Sequence, residues 1–177
     1  MPQDRESSAL IRAVGRGDID ALGKIYARYG PAVHRLAVAL TLSAGDADDV
    51  VQDVFIGLPE ALTVYEEQGA FEGWLLRFAA RVALTKVRAD SRTVGDEYFA
   101  LAVAAPDPIL DRITLEAALS TLSREARLIV VLKILAGYSH EEIAAQLGLR
   151  RNTVEVRLFR ALAKLRTFLT TRERHPQ

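Results

Sequence analysis

The sequence predicts an all-α fold: two small helical bundles joined by a linker, the C-terminal one a helix-turn-helix domain. Three observations carry this expectation. Apolar residues recur at helical spacing along most of the chain, alternating β-branched runs are scarce, and one internal stretch gathers Gly95, Pro106 and Pro108 without any amphipathic period. The periodic segments place helices near 5–15, 18–42 (bent or split at Pro31), 46–64, 70–90, 112–120, 124–136, 139–147 and 151–170. The aperiodic stretch, DSRTVGDEYFALAVAAPDPILD, reads as the linker. The expected units are therefore 1–91, a linker over 92–111, and 112–177.

Taken in order, the first informative helix is acidic. In DADDVVQDVFIGLPEAL, the apolar Ala47, Val51, Val54, Phe55 and Leu58 share one side of a helical wheel, with Asp46, Asp49 and Asp53 almost opposite. Such a helix packs inward and shows carboxylates outward. No histidine or converging partner accompanies them, so neither acid–base chemistry nor a metal site is expected. From this helix alone, a solvated acidic face is favoured over a docking surface. Gly57 and Pro59 are expected to interrupt the helix early, because proline removes a backbone donor and clashes with the preceding turn.

The next helix is basic. In AFEGWLLRFAARVALTKVR, Phe71, Trp74, Leu75, Phe78 and Val82 form one stripe, and Arg77, Arg81 and Arg88 stack on a neighbouring face. Cations beside exposed rings suit single-stranded DNA, since the cations follow the backbone while rings stack on bases. Taken singly, the aromatics read as packing residues and the arginines as the DNA contacts. The preceding VYEEQGA loop, flexible at Gly69, is placed to border a pocket for an extruded base.

The strongest signal lies in LSREARLIVVLKILAGYSHEEIAAQLGLRRNTVEVRLFRALAKLR. Ser139 with Glu142 three residues later is a capping box; Ile143, Ala144 and Leu147 give the helix its stripe, and Gly148 ends it. A second helix follows within a few residues, the spacing of a helix-turn-helix. On it Val154, Leu158, Ala161, Leu162 and Leu165 line one side, and Thr153, Arg157, Arg160 and Lys164 another. A recognition helix needs this division: one side anchors while the other enters the major groove, where Arg can pair with guanine and flanking cations neutralise phosphates.

Composition bounds the rest. A chain of 177 residues and 19.5 kDa excludes a large multi-domain enzyme, and 50% hydrophobic with 26% charged residues suffices for packed cores. No cysteine is present, so disulfides, thiolate metal sites and thiol nucleophiles are excluded. The opening MPQDRESSALIRAVGRGDID lacks the apolar run of a signal peptide, and no stretch matches a membrane span; a cytoplasmic protein without membrane insertion is expected. The net charge of zero conceals blocks: +2 over 1–43, −8 over 44–72, +4 over 73–92, −4 over 93–123 and +6 over 124–177. Blocks of opposite sign suit different partners, acidic for a basic protein and basic for a phosphate backbone, or else they attract one another.

In that order these segments resemble the extracytoplasmic-function (ECF) group of bacterial RNA polymerase sigma factors. LGKIYARYGPAVHRLAVAL is similar to the family's first conserved helix pair, DADDVVQDVF to its polymerase-docking segment, and FEGWLLRFAARVALTKVR to its promoter-melting, minus-ten-reading helix. The C-terminal segment resembles its minus-thirty-five-reading domain. The resemblance implies a non-catalytic specificity subunit without metal or cofactor. It implies that Asp46, Asp48, Asp49, Gln52 and Asp53 bind the β′ coiled coil of core RNA polymerase, whose β subunit is a further partner. Trp74, Arg77, Arg81, Lys86 and Arg88 would meet minus-ten DNA, and Arg150, Arg151, Asn152, Thr153, Arg157, Arg160 and Lys164 the minus-thirty-five element. An anti-sigma partner is common in the family. Arg81 and Thr85 stand where the family commonly has Asn and Asp, Arg150 replaces a usual serine cap, and Glu155 and Val156 stand where Lys or Arg and Ser are common. These departures bear on promoter sequence, not architecture.

Two other classes compete. A regulator of the response-regulator output type carries a similar helix-turn-helix and binds operators, but gives no reason for an acidic helix followed by an arginine-aromatic one. A small helical enzyme would need a phosphate-binding loop, a metal-ligand cluster or a nucleophile with its base; His34, His140 and His175 are scattered.

Overall fold

The computed structural model describes residues 2–66, 71–90 and 109–173. Among them every regular element is helical: α1 (Pro2–Val14), α2 (Ile19–Thr41), α3 (Ala44–Ala61) closed by a 3₁₀ turn over Leu62–Val64, α4 (Phe71–Asp90), α5 (Ile109–Ser120), α6 (Arg124–Ile134), α7 (His140–Leu147) and α8 (Arg151–Glu173). The linker expected over 92–111 and the pocket expected at Gly69 fall wholly or mostly outside the described residues.

Local chemistry starts these helices. Asp18 caps α2 by accepting from the Ala21 N–H at 3.0 Å, and Ser43 caps α3 by accepting from Asp46 at 3.2 Å. Ser123 and Ser139 cap α6 and α7 in the same way. The capping box on α7 is complete, because the Glu142 carboxylate accepts the Ser139 N–H at 2.7 Å. Gly148 ends α7 in the left-handed region at φ +67°, a conformation an L side chain resists.

The first bundle packs α2, α3 and α4 together, with α1 against α2. Ile25, Leu36 and Leu40 of α2, Val50, Val54 and Leu58 of α3, and Leu75 and Leu84 of α4 are at most 1% exposed. The second bundle packs α6, α7 and α5 onto α8 around Ile129, Leu132, Ile143 and Val154. Both prolines stay within their helices. α2 runs unbroken through Pro31, so of the bend or split expected there the split does not occur, and α3 runs through Pro59 to Ala61, correcting the early interruption expected there. Each proline removes one backbone bond, and the long buried stripes on either side outweigh that loss. The two bundles also touch: α2 packs against α5 and α6, so their apolar residues form one continuous cluster.

Candidate functional site

The acidic side of α3 stays at the surface, and its carboxylates divide by neighbour. Asp49 accepts a hydrogen bond from Lys86 of α4, and Asp46 lies 3.8 Å from the same ammonium. The hydrogen bond to Asp49 is the main reason that the Lys86 pKa is raised above its ordinary value. Asp48 lies instead 3.3 Å from His34 Nε2 on α2. Asp48, Asp49, Gln52 and Asp53 are exposed. Asp48 and Gln52 also border an apolar groove of about 1310 Å³, lined by Tyr26, Val38, Phe55 and Ile56 with Leu115 of the second bundle.

On α4 the aromatics form a ladder. Trp74 stacks between Phe71 and Phe78 at 5.7 and 5.8 Å between ring centroids, and Tyr65 tilts against it at 4.7 Å. Phe71 is buried, whereas Trp74 and Phe78 are half-buried, so the ladder leads from core to surface. Arg81 is exposed beside it, its guanidinium 5.9 Å from the Phe78 ring. The Thr85 hydroxyl donates to the Arg81 carbonyl at 3.1 Å and so turns back onto its own helix.

Arg77 does not point to open solvent. Its Nη1 donates to Glu142 Oε1 at 2.7 Å and its Nη2 to the Gly137 carbonyl at 2.8 Å, both in the second bundle. The guanidinium also sits 5.0 Å from the centre of the Tyr138 ring, and the Tyr138 hydroxyl donates to the Arg77 carbonyl at 3.2 Å. Arg88 donates to the Gln146 carbonyl, and Arg124 of α6 donates to the Val87 carbonyl. The Ser139 N–H, and after it the Arg77 guanidinium, hold the Glu142 carboxyl below the usual carboxylate range. Burial pushes the Tyr138 phenol up. On α6, burial lowers Arg127 to about 10, with the Arg124 charge adding to the effect.

Along α8 the cations have different surroundings. Arg157 pairs with Glu125 of α6, Lys164 donates to the Thr121 carbonyl, and Arg151 donates to Glu141 at 2.7 Å and to Glu155 at 3.0 Å. Glu155 also meets His140 Nδ1 at 3.3 Å. Arg150, Asn152 and Arg160 are exposed, and neither Arg150 nor Arg160 has an ion-pair partner among the described residues. Thr153 is half-buried. Val154, Leu158 and Ala161 turn into the core with Leu165 packed beside them, but Leu162 remains 37% exposed. The Arg150 carbonyl accepts the Thr153 and Val154 N–H groups, so its backbone starts α8 although its side chain cannot act as a cap.

Sequence reasoning missed Glu142, Tyr138 and Gly137 as partners of Arg77. The capping-box pattern identified Glu142 only through its local bond, and nothing in helical periodicity links positions 65 residues apart. It also missed Phe159, which is 76% exposed on α8; its position on the wheel away from Val154 and Leu158 was the available signal.

The profile "Sigma-70 region 2" matches residues 25–93, and "Sigma-70, region 4" matches residues 112–165. The ECF RNA polymerase sigma factor SigE of Mycolicibacterium smegmatis is 34% identical over 95% of this chain and 70% of that protein. The RNA polymerase sigma factor CnrH of Cupriavidus metallidurans is 31% identical over 95% of this chain and 96% of that protein. The structure of CnrH in complex with the cytosolic domain of CnrY superimposes with a TM-score of 0.56 at 29% identity, covering 92% of this chain and 96% of that one. The sigma factor RpoE of Bartonella quintana, solved with the anti-sigma factor NepR, shares the fold with a TM-score of 0.60 at 23% identity, covering 84% of this chain and 96% of that one.

Proposed function

The chain belongs to the ECF group of RNA polymerase sigma factors, and from that premise we propose which of its surfaces perform each step. As a sigma factor it joins core RNA polymerase and directs transcription initiation at promoters. Bond-making chemistry belongs to the polymerase, and this chain contributes differential binding, in the cytoplasm and without a cofactor of its own. Residues 1–91 dock on the polymerase and read the minus-ten element, 92–111 link, and 112–177 read the minus-thirty-five element.

Asp46, Asp48, Asp49, Gln52 and Asp53 bind the β′ coiled coil. The single observation that supports this most is the exposure of Asp48, Asp49, Gln52 and Asp53 on the face of α3 opposite its buried Val50, Val54 and Leu58. Trp74, Arg77, Arg81, Lys86 and Arg88 hold the minus-ten strand, with the aromatic ladder supplying the stacking surface and the cations following phosphates. Arg77 and Arg88 reach DNA only after the second bundle releases them, so polymerase binding and separation of the bundles belong to one step. An anti-sigma partner, as CnrH has in CnrY and RpoE in NepR, fits the apolar groove beside Asp48 and Gln52, where it would compete with the polymerase.

The test is co-migration of the purified chain with core polymerase. Wild type is retained, and Asp49→Arg combined with Asp53→Arg loses at least ~30-fold in affinity, the scale for reversing charges at a steered interface. Equal retention of both would defeat the docking assignment.

A further inference from the structure

Away from the acidic face of α3, a second cleft of about 400 Å³ opens between the end of α1 and the 3₁₀ turn over Leu62–Val64. Its volume lies in the range of small-ligand sites. Ile11, Leu62 and Tyr65 give it apolar walls, and Arg12 and Arg16, both exposed, line it as well. None of the described residues lining it is acidic. Neither guanidinium has an ion-pair partner among the described residues. Asp18, the acid nearest to Arg16 in sequence, uses its carboxylate to cap α2. The backbone that carries Arg16 is fixed: its N–H donates to the Ala13 carbonyl at 3.0 Å, and Gly17 turns the chain toward α2 in the left-handed region at φ +86°. The cleft thus presents two positive charges from one ordered helix end.

Its position points to the ligand. Tyr65 forms one wall of the cleft and also lies 4.7 Å from Trp74, so the cleft begins where the aromatic ladder ends. Along α4 the half-buried Trp74 and Phe78 come before Arg81, Lys86 and Arg88. Duplex phosphates therefore suit the C-terminal end of α4, and unpaired bases suit its N-terminal end. A strand stacked along Phe78 and Trp74 leaves the ladder by way of Tyr65, where its backbone meets Arg12 and Arg16.

We infer that this cleft is a phosphate site for the unpaired promoter strand, in which Arg12 and Arg16 take the backbone as it leaves the minus-ten element toward the start site. The inference rests on α4 being the minus-ten reader. A phosphate between two guanidinium groups gains charge-assisted hydrogen bonds, while the apolar walls face the sugar. Such a contact is blind to base identity, so it adds affinity for the open strand without adding sequence preference.

The experiment uses holoenzyme assembled from core polymerase and the full chain, with a fluorescent single strand from a promoter it transcribes, running from the minus-ten element to the start site. One phosphate at a time is replaced by methylphosphonate, which removes one charge and leaves the bases unchanged. For wild type, one or two replacements on the start-site side should each weaken binding about tenfold, the scale of a charge-assisted hydrogen bond. For Arg12→Ala combined with Arg16→Ala, the same replacements should change binding less than about twofold. Arg12→Lys combined with Arg16→Lys, which keeps both charges, retains part of the sensitivity. Salt gives an independent readout: between about 50 and 200 mM, wild type should lose roughly sevenfold more affinity than the double alanine variant, as expected for two phosphate contacts on a single strand.

Wild-type holoenzyme indifferent to every phosphate on that side would overturn the inference. So would a double alanine variant as phosphate-sensitive as wild type, or one with an unchanged salt dependence. Weaker core-polymerase binding by that variant with unchanged phosphate dependence would overturn it too, and would assign the two arginines to a protein contact. Failure of the minus-ten reading shows separately, as strand binding that Trp74→Ala and Arg81→Ala leave unchanged.

Discussion

Helices α4 and α8 have similar lengths, 20 and 23 residues, and each turns an apolar stripe inward while carrying cations elsewhere. Their cations are engaged differently. On α4, Arg77 and Arg88 are held by the second bundle and Lys86 by the acids of α3, whereas Arg81 is exposed beside Phe78 and has no ion-pair partner among the described residues. On α8, Arg157 and Lys164 are tied to their own bundle, but Arg150, Asn152 and Arg160 face outward. The difference shows how a chain with zero net charge can carry two cationic surfaces, the ones proposed to read DNA. Oppositely charged side chains pair within the chain, and the cations of α4, proposed to hold the minus-ten strand, are the more completely engaged of the two sets.

The comparison can be broken first through the cores. Leu84 of α4 is 1% exposed and Leu158 of α8 is 8% exposed. Leu84→Ala should cost about 2–5 kcal/mol in urea unfolding, and Leu158→Ala less, because its site at the edge of the core can relax. A reversed order would mean that the second bundle, not the first, carries most of the stability.

A smaller effect is expected within α8. Arg160→Ala should weaken binding of holoenzyme to minus-thirty-five DNA by about 1–3 kcal/mol, and Arg157→Ala by clearly less, because Arg157 already pairs with Glu125. Equal losses on a promoter-binding titration would show that the Glu125 pair opens on DNA.

Smaller still is the contact between the bundles. Glu142→Gln keeps a side chain that can complete the capping box but removes the charge that holds Arg77. Since Glu142 is 43% exposed at its side chain, the pair contributes about 1 kcal/mol or less. The free variant should bind a minus-ten single strand about threefold to fivefold more tightly than wild type, read by fluorescence anisotropy. No gain would mean that release of Arg77 is not limiting.

The same carboxylate has a pH signature, set first by its bond from the Ser139 N–H and then by Arg77. The Glu142 carboxyl titrates below its unfolded value of 4.5, so its stabilising contribution is complete above that pH and lost as pH falls through the lower folded value. Energy transfer between dyes on α2 and α8 should report separation of the bundles in that acid window. The Glu142→Gln variant should lack that step.

Much of this layout was legible in the sequence because it depends on local rules. The capping box of Ser139 and Glu142, the Gly148 stop and the stripe Ala47, Val51, Val54, Phe55 and Leu58 follow from neighbours within a few residues. Pro31 and Pro59 misled for the complementary reason: proline's cost is local, but the burial that outweighs it comes from other helices. The cationic side of α8, proposed to read the minus-thirty-five element, was legible only in part. Periodicity separated Val154 and Leu158 from the cations, yet which cations face outward depends on where Glu125 and Thr121 lie. The contact of Arg77 with Glu142 needed the packing of α2 against α6, which no single segment encodes.

Transcription by core polymerase plus this chain over a library of randomised promoters tests the central claim most directly. The account predicts RNA from a subset of templates enriched for two motifs at a fixed spacing, one near minus thirty-five and one near minus ten, and none from core polymerase alone. RNA output unchanged by the chain, or enrichment of a single operator-like motif without initiation, would contradict it.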